Sequence, residues 1–413
     1  MAAKEVIAVF DIGKTNKKLI LFDKDYQLVW DYSTQLQETT DADGFPCEDI
    51  NALSSWMLSS LQSILDNPGY KLRAINCAAY GASFVLINEV GEVIAPICNY
   101  LKPYPESLLD QFYVRYGGRI ELCRATASPA LGSLNSGLQL YRLKNEDPEL
   151  FSRLHYALHL PQYLAYLLTG HAFSDITSIG CHTHLWNFDK SDYHDWVYRE
   201  GIDKKLAPIH PSSGIAGYYQ KIPVGVGLHD SSAALVPYLQ TFQEPFILLS
   251  TGTWCISMNP FNHSLLTDTE LQKDCLCYLS YEGRHVKASR LFLGYEHEQQ
   301  VKKLAAQFDK PLHYYKHLRY DPAPEAGYEK AYHQQVQDLV QKQVESTGLV
   351  LQEGNCKRIF VDGGFSRNDV YMKMLAAAFP AYEICTAEVA QASALGAAMA
   401  MHEHWNALMP YHG

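Results

Sequence analysis

The sequence predicts an α/β protein of two mixed halves, each opening on a strand, a polar turn and a second strand. Three observations carry this. Residues 6–10 are a short apolar run ending in Asp11-Ile12-Gly13, and residues 18–23 are another; two such runs joined by a Gly-containing turn read as a β-hairpin. Residues 246–250 and 254–258 repeat the pattern around Thr251-Gly252-Thr253. The chain has 413 residues, too many for one ordinary core and suited to two domains of roughly 200 residues each.

Residues 28–32 add a third strand to the first hairpin. Apolar residues at helical spacing (Leu53, Trp56, Met57, Leu61, Ile64, Leu65) predict a helix over 50–65, stopped by Asn67-Pro68-Gly69. Residues 72–79 read as a buried strand and 85–88 as another, with a turn at Val90-Gly91. The middle is more helical, over 134–145, 149–155 and 161–168, with Thr169-Gly170 as a stop. Residues 224–228 form a strand running into His229-Asp230 and a small-residue helix over 231–239. In the second half a helix lies near 328–347 and a strand over 358–362, which Gly363-Gly364 turns into a helix over 368–379. An alanine-rich helix over 390–401 ends the pattern. The break falls near 241–245, so the expected domains are 1–244 and 245–413. The duplication is one of pattern, not of sequence identity.

Hydrophobic content of 47% and charged content of 19% predict a folded globular chain rather than a disordered one. The net charge is −11 and no Lys/Arg block tracks a phosphate backbone, which excludes nucleic acid as the expected partner. Acidity does not exclude anionic substrates, because backbone N–H groups bind phosphate without basic side chains. The ten cysteines are scattered, and several sit in apolar runs, as Cys77 does, which suits reduced buried thiols. Cys275-Leu276-Cys277 lacks a second pair or a His at zinc spacing. The N-terminal apolar run is too short for a signal sequence, and no apolar stretch approaches the ~18 residues of a membrane span. A soluble, cytoplasmic protein without a membrane partner is expected.

Gly13-Lys14-Thr15 suggests a P-loop, but the Gly required five residues before Gly-Lys is Ala8, and a strand rather than a helix follows. What remains is a hairpin turn with an acidic residue at its start. Its N–H groups can hold phosphate oxygens and Asp11 can hold Mg²⁺ through water, or the turn is simply polar. Thr251-Gly252-Thr253 carries the same two options. Together the turns can grip one polyphosphate. Asp230 is either a favoured helix N-cap or a general base kept ionised by the helix dipole. His229 can bond a substrate hydroxyl or merely pack. Gly363-Gly364 lets a flat ring approach the backbone, and Asn368 can reach a sugar or base edge, although a tight turn explains the glycines alone.

Taken together and in order, these residues resemble the FGGY family of carbohydrate kinases, within the actin-like ATPase superfamily. Asp11 to Asn16 is similar to the family's first phosphate motif, residues 248–258 to its second, and residues 362–368 to its adenosine motif. Gly227-Leu228-His229-Asp230 is similar to the segment bearing the catalytic Asp. The likeness extends to Leu160-Pro161-Gln162-Tyr163-Leu164 and to Ala394-Leu395-Gly396-Ala397-Ala398, so it covers nearly the whole chain. The rhamnulokinase and fuculokinase branch is similar through Ser250-Thr251-Gly252-Thr253-Trp254 and the segment from Tyr80 to Leu86.

The resemblance implies two ribonuclease H-like domains of the actin/hexokinase type, with ATP and a sugar in the cleft between them. It implies Asp230 as the base and Asp11 as the Mg²⁺ residue. It implies Gly13, Lys14, Thr15, Asn16, Thr251, Gly252 and Thr253 on the phosphates, and Gln299, Gly363, Gly364 and Asn368 around the nucleoside. Tyr80, Gly81, Ser83, Phe84, His229 and Asp230 are the expected sugar contacts. The expected substrate is a small ketose, with a polyol or other hydroxylated acceptor as the alternative and a nucleotide-driven regulatory module as a further one. Self-association, if any, is expected as a homodimer. The chain departs from the branch at Ser83, where an Asp is usual, at Lys102-Pro103-Tyr104, where Asp-x-Arg falls, and at Glu296, where a Trp is common. These departures bear on the acceptor rather than on phosphoryl transfer.

Overall fold

Val6, Ile7, Ala8, Val9 and Phe10 are all fully buried, so the first strand must be covered on both faces, the setting of an uninterrupted apolar run. The computed structural model describes residues 3–351, 356–387, 389 and 391–406. They divide into two units, Met1–Thr241 with Tyr278–Arg284 and Gln391–Gly413, and Phe242–Cys277 with His285–Ala390.

In the first unit, β1 (Lys4–Ile12), β2 (Lys17–Phe22) and β3 (Leu28–Thr34) form an antiparallel meander. Helix α1 (Ile50–Leu65) follows, capped by Asp49, whose carboxylate accepts from the N–H groups of Asn51 and Ala52. It leads to β4 (Tyr70–Ala79), which pairs parallel with β1 on the side away from β2. After α2 (Leu160–Thr169), β5 (Ile215–Tyr219) and β6 (Ile222–Gly225) extend the sheet. The two-residue β7 (Leu228–His229) joins β4 in parallel, and α3 (Asp230–Thr241) starts directly from it.

Alternate residues of β1 serve opposite faces, as the strand period requires. Val6, Ala8 and Phe10 pack in the cluster that holds Leu53 and Met57 of α1 and Leu164 of α2. Ile7 and Val9 pack in the cluster that holds Ala233 of α3 with Ala394, Ala397 and Ala398.

The second unit repeats the plan. Strands β8 (Phe246–Thr251) and β9 (Cys255–Asn259) are an antiparallel pair. β10 (Cys275–Leu279) and β11 (His285–Leu291) continue the sheet beyond β9. Helices α4 (Leu293–Gln307) and α5 (Tyr328–Gly348) precede β12 (Arg358–Gly363), which runs parallel to β8. Helix α6 (Asp369–Ala378) returns the chain to β13 (Glu383–Thr386), parallel to β12. An antiparallel meander flanked by parallel strands occurs in both units, which is the ribonuclease H-like, actin-type architecture.

The last described long helix, α7 (Ala392–Ala400), packs in the first unit. Gly396 allows its close approach to α3, since a Cβ there would stand 1.8 Å from the carbonyl oxygen of Ala233. Ala390, the expected start of that helix, lies outside the described residues.

Three expectations change. The strand over 224–228 is broken at Val226 and Gly227, because Gly227 adopts φ +84° and a Cβ there would meet the Pro161 carbonyl at 2.4 Å. The helix over 134–145 is a short 3₁₀ turn followed by a helix over Ser136–Glu146. Strands β10 and β11 and helix α4 were not expected. In β11 the buried residues include Lys287, Ser289 and Arg290, which hide the strand from a hydrophobic reading; Ser289 donates to the Ser346 carbonyl and Lys287 pairs with Glu270. No helix among the described residues is long and apolar enough to cross a membrane.

Candidate active site

Register brings the first unit's candidate residues to one edge. On β4, Ala78 lies opposite both Asp11 and Leu228, and Ala79 opposite both Ile12 and His229. The carboxyl ends of three parallel strands therefore stop at one level, the edge where open α/β sheets bind ligands. Asp11 is the penultimate residue of β1, and Asp230 opens α3 immediately after β7.

Asp11 senses the charge of Asp230. Burial pushes the Asp11 carboxyl up to about 6, the charge of Asp230 adds to this, and Lys18 opposes it. Asp230 does not cap Ala233, as an N-cap would; it is the first helical residue, and Oδ1 accepts from Ser231 N–H at 2.6 Å. His229 Nε2 lies 3.3 Å from the same oxygen. Burial drives the imidazole toward its neutral form against the pull of Asp230. Gly81 makes room for this ring, since a Cβ there would stand 2.7 Å from His229 Nε2.

The first turn is closed by Gly13 N–H donating to the Asn16 carbonyl at 2.9 Å. Lys17 secures it from below: its ammonium donates to the carbonyls of Gly13 and Lys14 and to Glu48. Lys14 forms an ion pair with Glu38, and Asn16 accepts from Gln35. Thr15 is exposed at the tip.

Of the expected sugar contacts, Tyr80, Gly81, His229 and Asp230 gather at this edge. Tyr80 N–H donates to the Ile12 carbonyl, and its hydroxyl donates to Glu48 at 3.3 Å. Ser83 and Phe84 are buried instead. Phe84 packs on His159 with ring centroids 4.0 Å apart, and the Ser83 carbonyl accepts from Leu160 N–H. Phe84 also lines a cavity of about 260 Å³ that includes Lys102 and Gln139 but none of Asp11, His229 and Asp230. Lys102 pairs there with Asp41 and Asp43.

In the second unit a cavity of about 390 Å³ is lined by Thr251, Gly252, Thr253, Gly364 and Asn368, together with residues of α4, a size suited to a nucleoside. Gly363 stands beside it at φ +87°, where a Cβ would clash with the Thr251 carbonyl at 2.0 Å. Two expected ligands are otherwise engaged. The Thr251 hydroxyl donates to the Asp362 carbonyl and accepts from Phe365 N–H, so it ties β8 to β12. Asn368 caps α6 by accepting from Tyr371 N–H and donates to the Tyr332 hydroxyl. Gln299 does not line the cavity; Tyr295, His297, Glu298 and Val301 present the face of α4 that does.

Sequence reasoning missed Lys17, because a lysine in a strand ordinarily points to water. It also missed Gly294, where a Cβ would lie 1.9 Å from the Gly252 carbonyl. The Leu-Gly at the start of an amphipathic segment was the available signal.

Residues 6–236 match the sequence profile of the N-terminal domain of the FGGY family of carbohydrate kinases. Residues 329–402 match the profile of that family's C-terminal domain, and residues 243–316 a second profile, for the carbohydrate kinase FGGY C-terminal domain. The chain belongs to the FGGY family of carbohydrate kinases. Solved structures of similar fold include a carbohydrate kinase from Novosphingobium aromaticivorans, 24% identical, with TM-score 0.80 over 97% of this chain and 92% of that one. A ligand-bound xylulose kinase from Lactobacillus acidophilus is 17% identical, with TM-score 0.80 over 98% and 90%. A gluconate kinase from the same organism is 16% identical, with TM-score 0.76 over 99% and 90%. At these identities the likeness is one of fold, and it spans both FGGY domains. The chain is thus an FGGY carbohydrate kinase, an enzyme that phosphorylates sugars.

Proposed function

We propose that this FGGY kinase transfers the γ-phosphoryl group of ATP to a primary hydroxyl of a small ketose, of the rhamnulose, fuculose or xylulose kind, with Asp230 as the general base. The observation that carries the reading is the pair Asp11 and Asp230 at one sheet edge, with neutral His229 held between Asp230 and the Gly81 backbone. The branch reading is supported by the segment from Ser250 to Trp254 and that from Tyr80 to Leu86.

Asp230 accepts the hydroxyl proton as the sugar oxygen bonds to the γ-phosphorus and the bond to the ADP oxygen breaks. His229 orients the carboxylate and can accept or donate to a neighbouring sugar hydroxyl. The N–H groups of Lys14, Thr15 and Asn16 meet phosphate oxygens in the first unit, with Gly13 reserved for closing the turn. In the second unit Gly252, Thr253, Gly363 and Gly364 let phosphate and nucleoside approach the backbone. Asp11 is the residue for Mg²⁺, and the raised Asp11 carboxyl beside Asp230 is a site short of positive charge, which fits a divalent cation. Such an ion, when bound, neutralises charge on the transferring phosphate. No disulfide forms among the described residues, in keeping with a cytoplasmic setting.

A polyol acceptor is favoured by one observation: Ser83 and Lys102, at positions where the branch carries charged sugar contacts, are respectively buried and tied to Asp41 and Asp43. An ATP-consumption screen over ketoses, aldoses and polyols with Mg²⁺ tests both readings. Ketose-stimulated turnover is expected, polyol-only stimulation supports the second reading, and a flat response would sink both.

A further inference from the structure

Beside the proposed base lies a cluster that shares His229 with the proposed site and adds Cys181 and His182, which phosphoryl transfer does not use. Cys181 Sγ is 3.7 Å from His229 Nε2, and one ligand atom each from Cys181, His182 and His229 all lie within 4.8 Å of one another. A tetrahedral zinc site separates its ligand atoms by about 3.5 Å, so the sulfur–nitrogen pair is already at that spacing and a small rotation of His182 closes the third side. One thiolate and two imidazoles form a donor set selective for borderline-soft divalent cations over Mg²⁺, which prefers oxygen.

Two further observations favour a ligand over simple packing. His229 is 4% exposed, and its Nε2 is the ring nitrogen turned toward Cys181. His182 adopts φ +42° and His184 φ +61°, so the loop that presents the cluster holds a costly left-handed backbone at two histidines. Asp230 Oδ1 lies 3.3 Å from His229 Nε2, beside the cluster but outside its three ligands.

We infer that Cys181, His182 and His229 bind a zinc-class divalent cation, and that occupancy inhibits the kinase by drawing His229 Nε2 away from its base, Asp230. Binding forms a sulfur–metal bond as the Cys181 thiol releases its proton to solvent, with no change of oxidation state. The inhibition rests on the assignment of Asp230 above; the binding does not.

The probe is Co²⁺ added to the full chain, read by absorption, with Zn²⁺ inhibition of sugar-dependent ATP turnover measured in parallel. The wild type should develop a near-ultraviolet thiolate-to-cobalt band. Cys181→Ser should abolish it, His182→Asn should weaken it, and Asp230→Asn should keep it, since sulfur is its source. The Zn²⁺ midpoint of Cys181→Ser, relative to that variant's own metal-free rate, should rise at least about tenfold, equivalent to ~1.4 kcal/mol. No band in the wild type, or a band undiminished in Cys181→Ser, overturns the site. Turnover surviving in Asp230→Asn with the band intact would instead overturn the base and leave the metal site standing.

Discussion

Lys17 Nζ stands 2.8 Å from Glu48 Oε2, with the side chains only 2% and 3% exposed. The same ammonium holds the carbonyls of Gly13 and Lys14, so the turn proposed to meet phosphate rests on a buried ion pair. Lys17→Met would strand the Glu48 charge and should cost about 3–5 kcal/mol. Lys17→Met combined with Glu48→Met should be less destabilised than Lys17→Met alone, measured by denaturant unfolding. Equal loss in both would show that the pair does not act as a unit.

Gly81 is the seat of His229. A Gly81→Ala methyl would arrive 2.7 Å from Nε2 and push the imidazole off Asp230. Misplacement of about 1 Å at a reacting centre costs roughly 10²-fold in rate. The expected result is a fall of that order in kcat for the best sugar with little change in Tm; unchanged kcat would remove His229 from the mechanism.

Gly363 occupies backbone space open only to glycine, at φ +87° and ψ −151°. Gly363→Ala combines about 1–3 kcal/mol of backbone strain with a clash at 2.0 Å against the Thr251 carbonyl. It should therefore lower stability by at least about 2 kcal/mol and weaken nucleotide binding. Thermal unfolding with and without ATP checks this, and a variant of wild-type stability would contradict the strain.

The Asp11 carboxyl, raised to about 6, keeps its proton until pH approaches that value, so the metal-binding form is lost as pH falls through 6. At limiting Mg²⁺ the kcat/KM profile should show an acid limb near pH 6. Saturating Mg²⁺ should move it lower, because the cation competes with the proton. A limb that ignores Mg²⁺ concentration would separate Asp11 from the metal.

Much of this arrangement was legible from residues. The run over 6–10 was legible as a strand because two short apolar runs joined by a Gly-containing turn read as a hairpin. The turns at Gly13 and Gly252 were visible because Gly-containing loops between apolar runs mark turns, and Gly363 because its φ of +87° favours glycine. What stayed hidden depends on long-range packing. Lys17 carries its meaning only through Glu48, thirty-one positions away. Strand β11 was masked by polar residues satisfied by α5 and Glu270. Thr251 and Asn368 sit at the second-unit cavity, with their side chains engaged in tying strands and capping a helix. Gln299 missed the cavity because only one face of α4 reaches it.

The most direct measurement is the turnover of Asp230→Asn on the sugar that best stimulates ATP consumption, alongside its ATP affinity and Tm. Asparagine preserves shape and removes the proton acceptor, so kcat should fall about 10²–10⁴-fold while ATP affinity and Tm stay near those of the wild type. Near-normal kcat in that variant would contradict the assignment of Asp230 as the base.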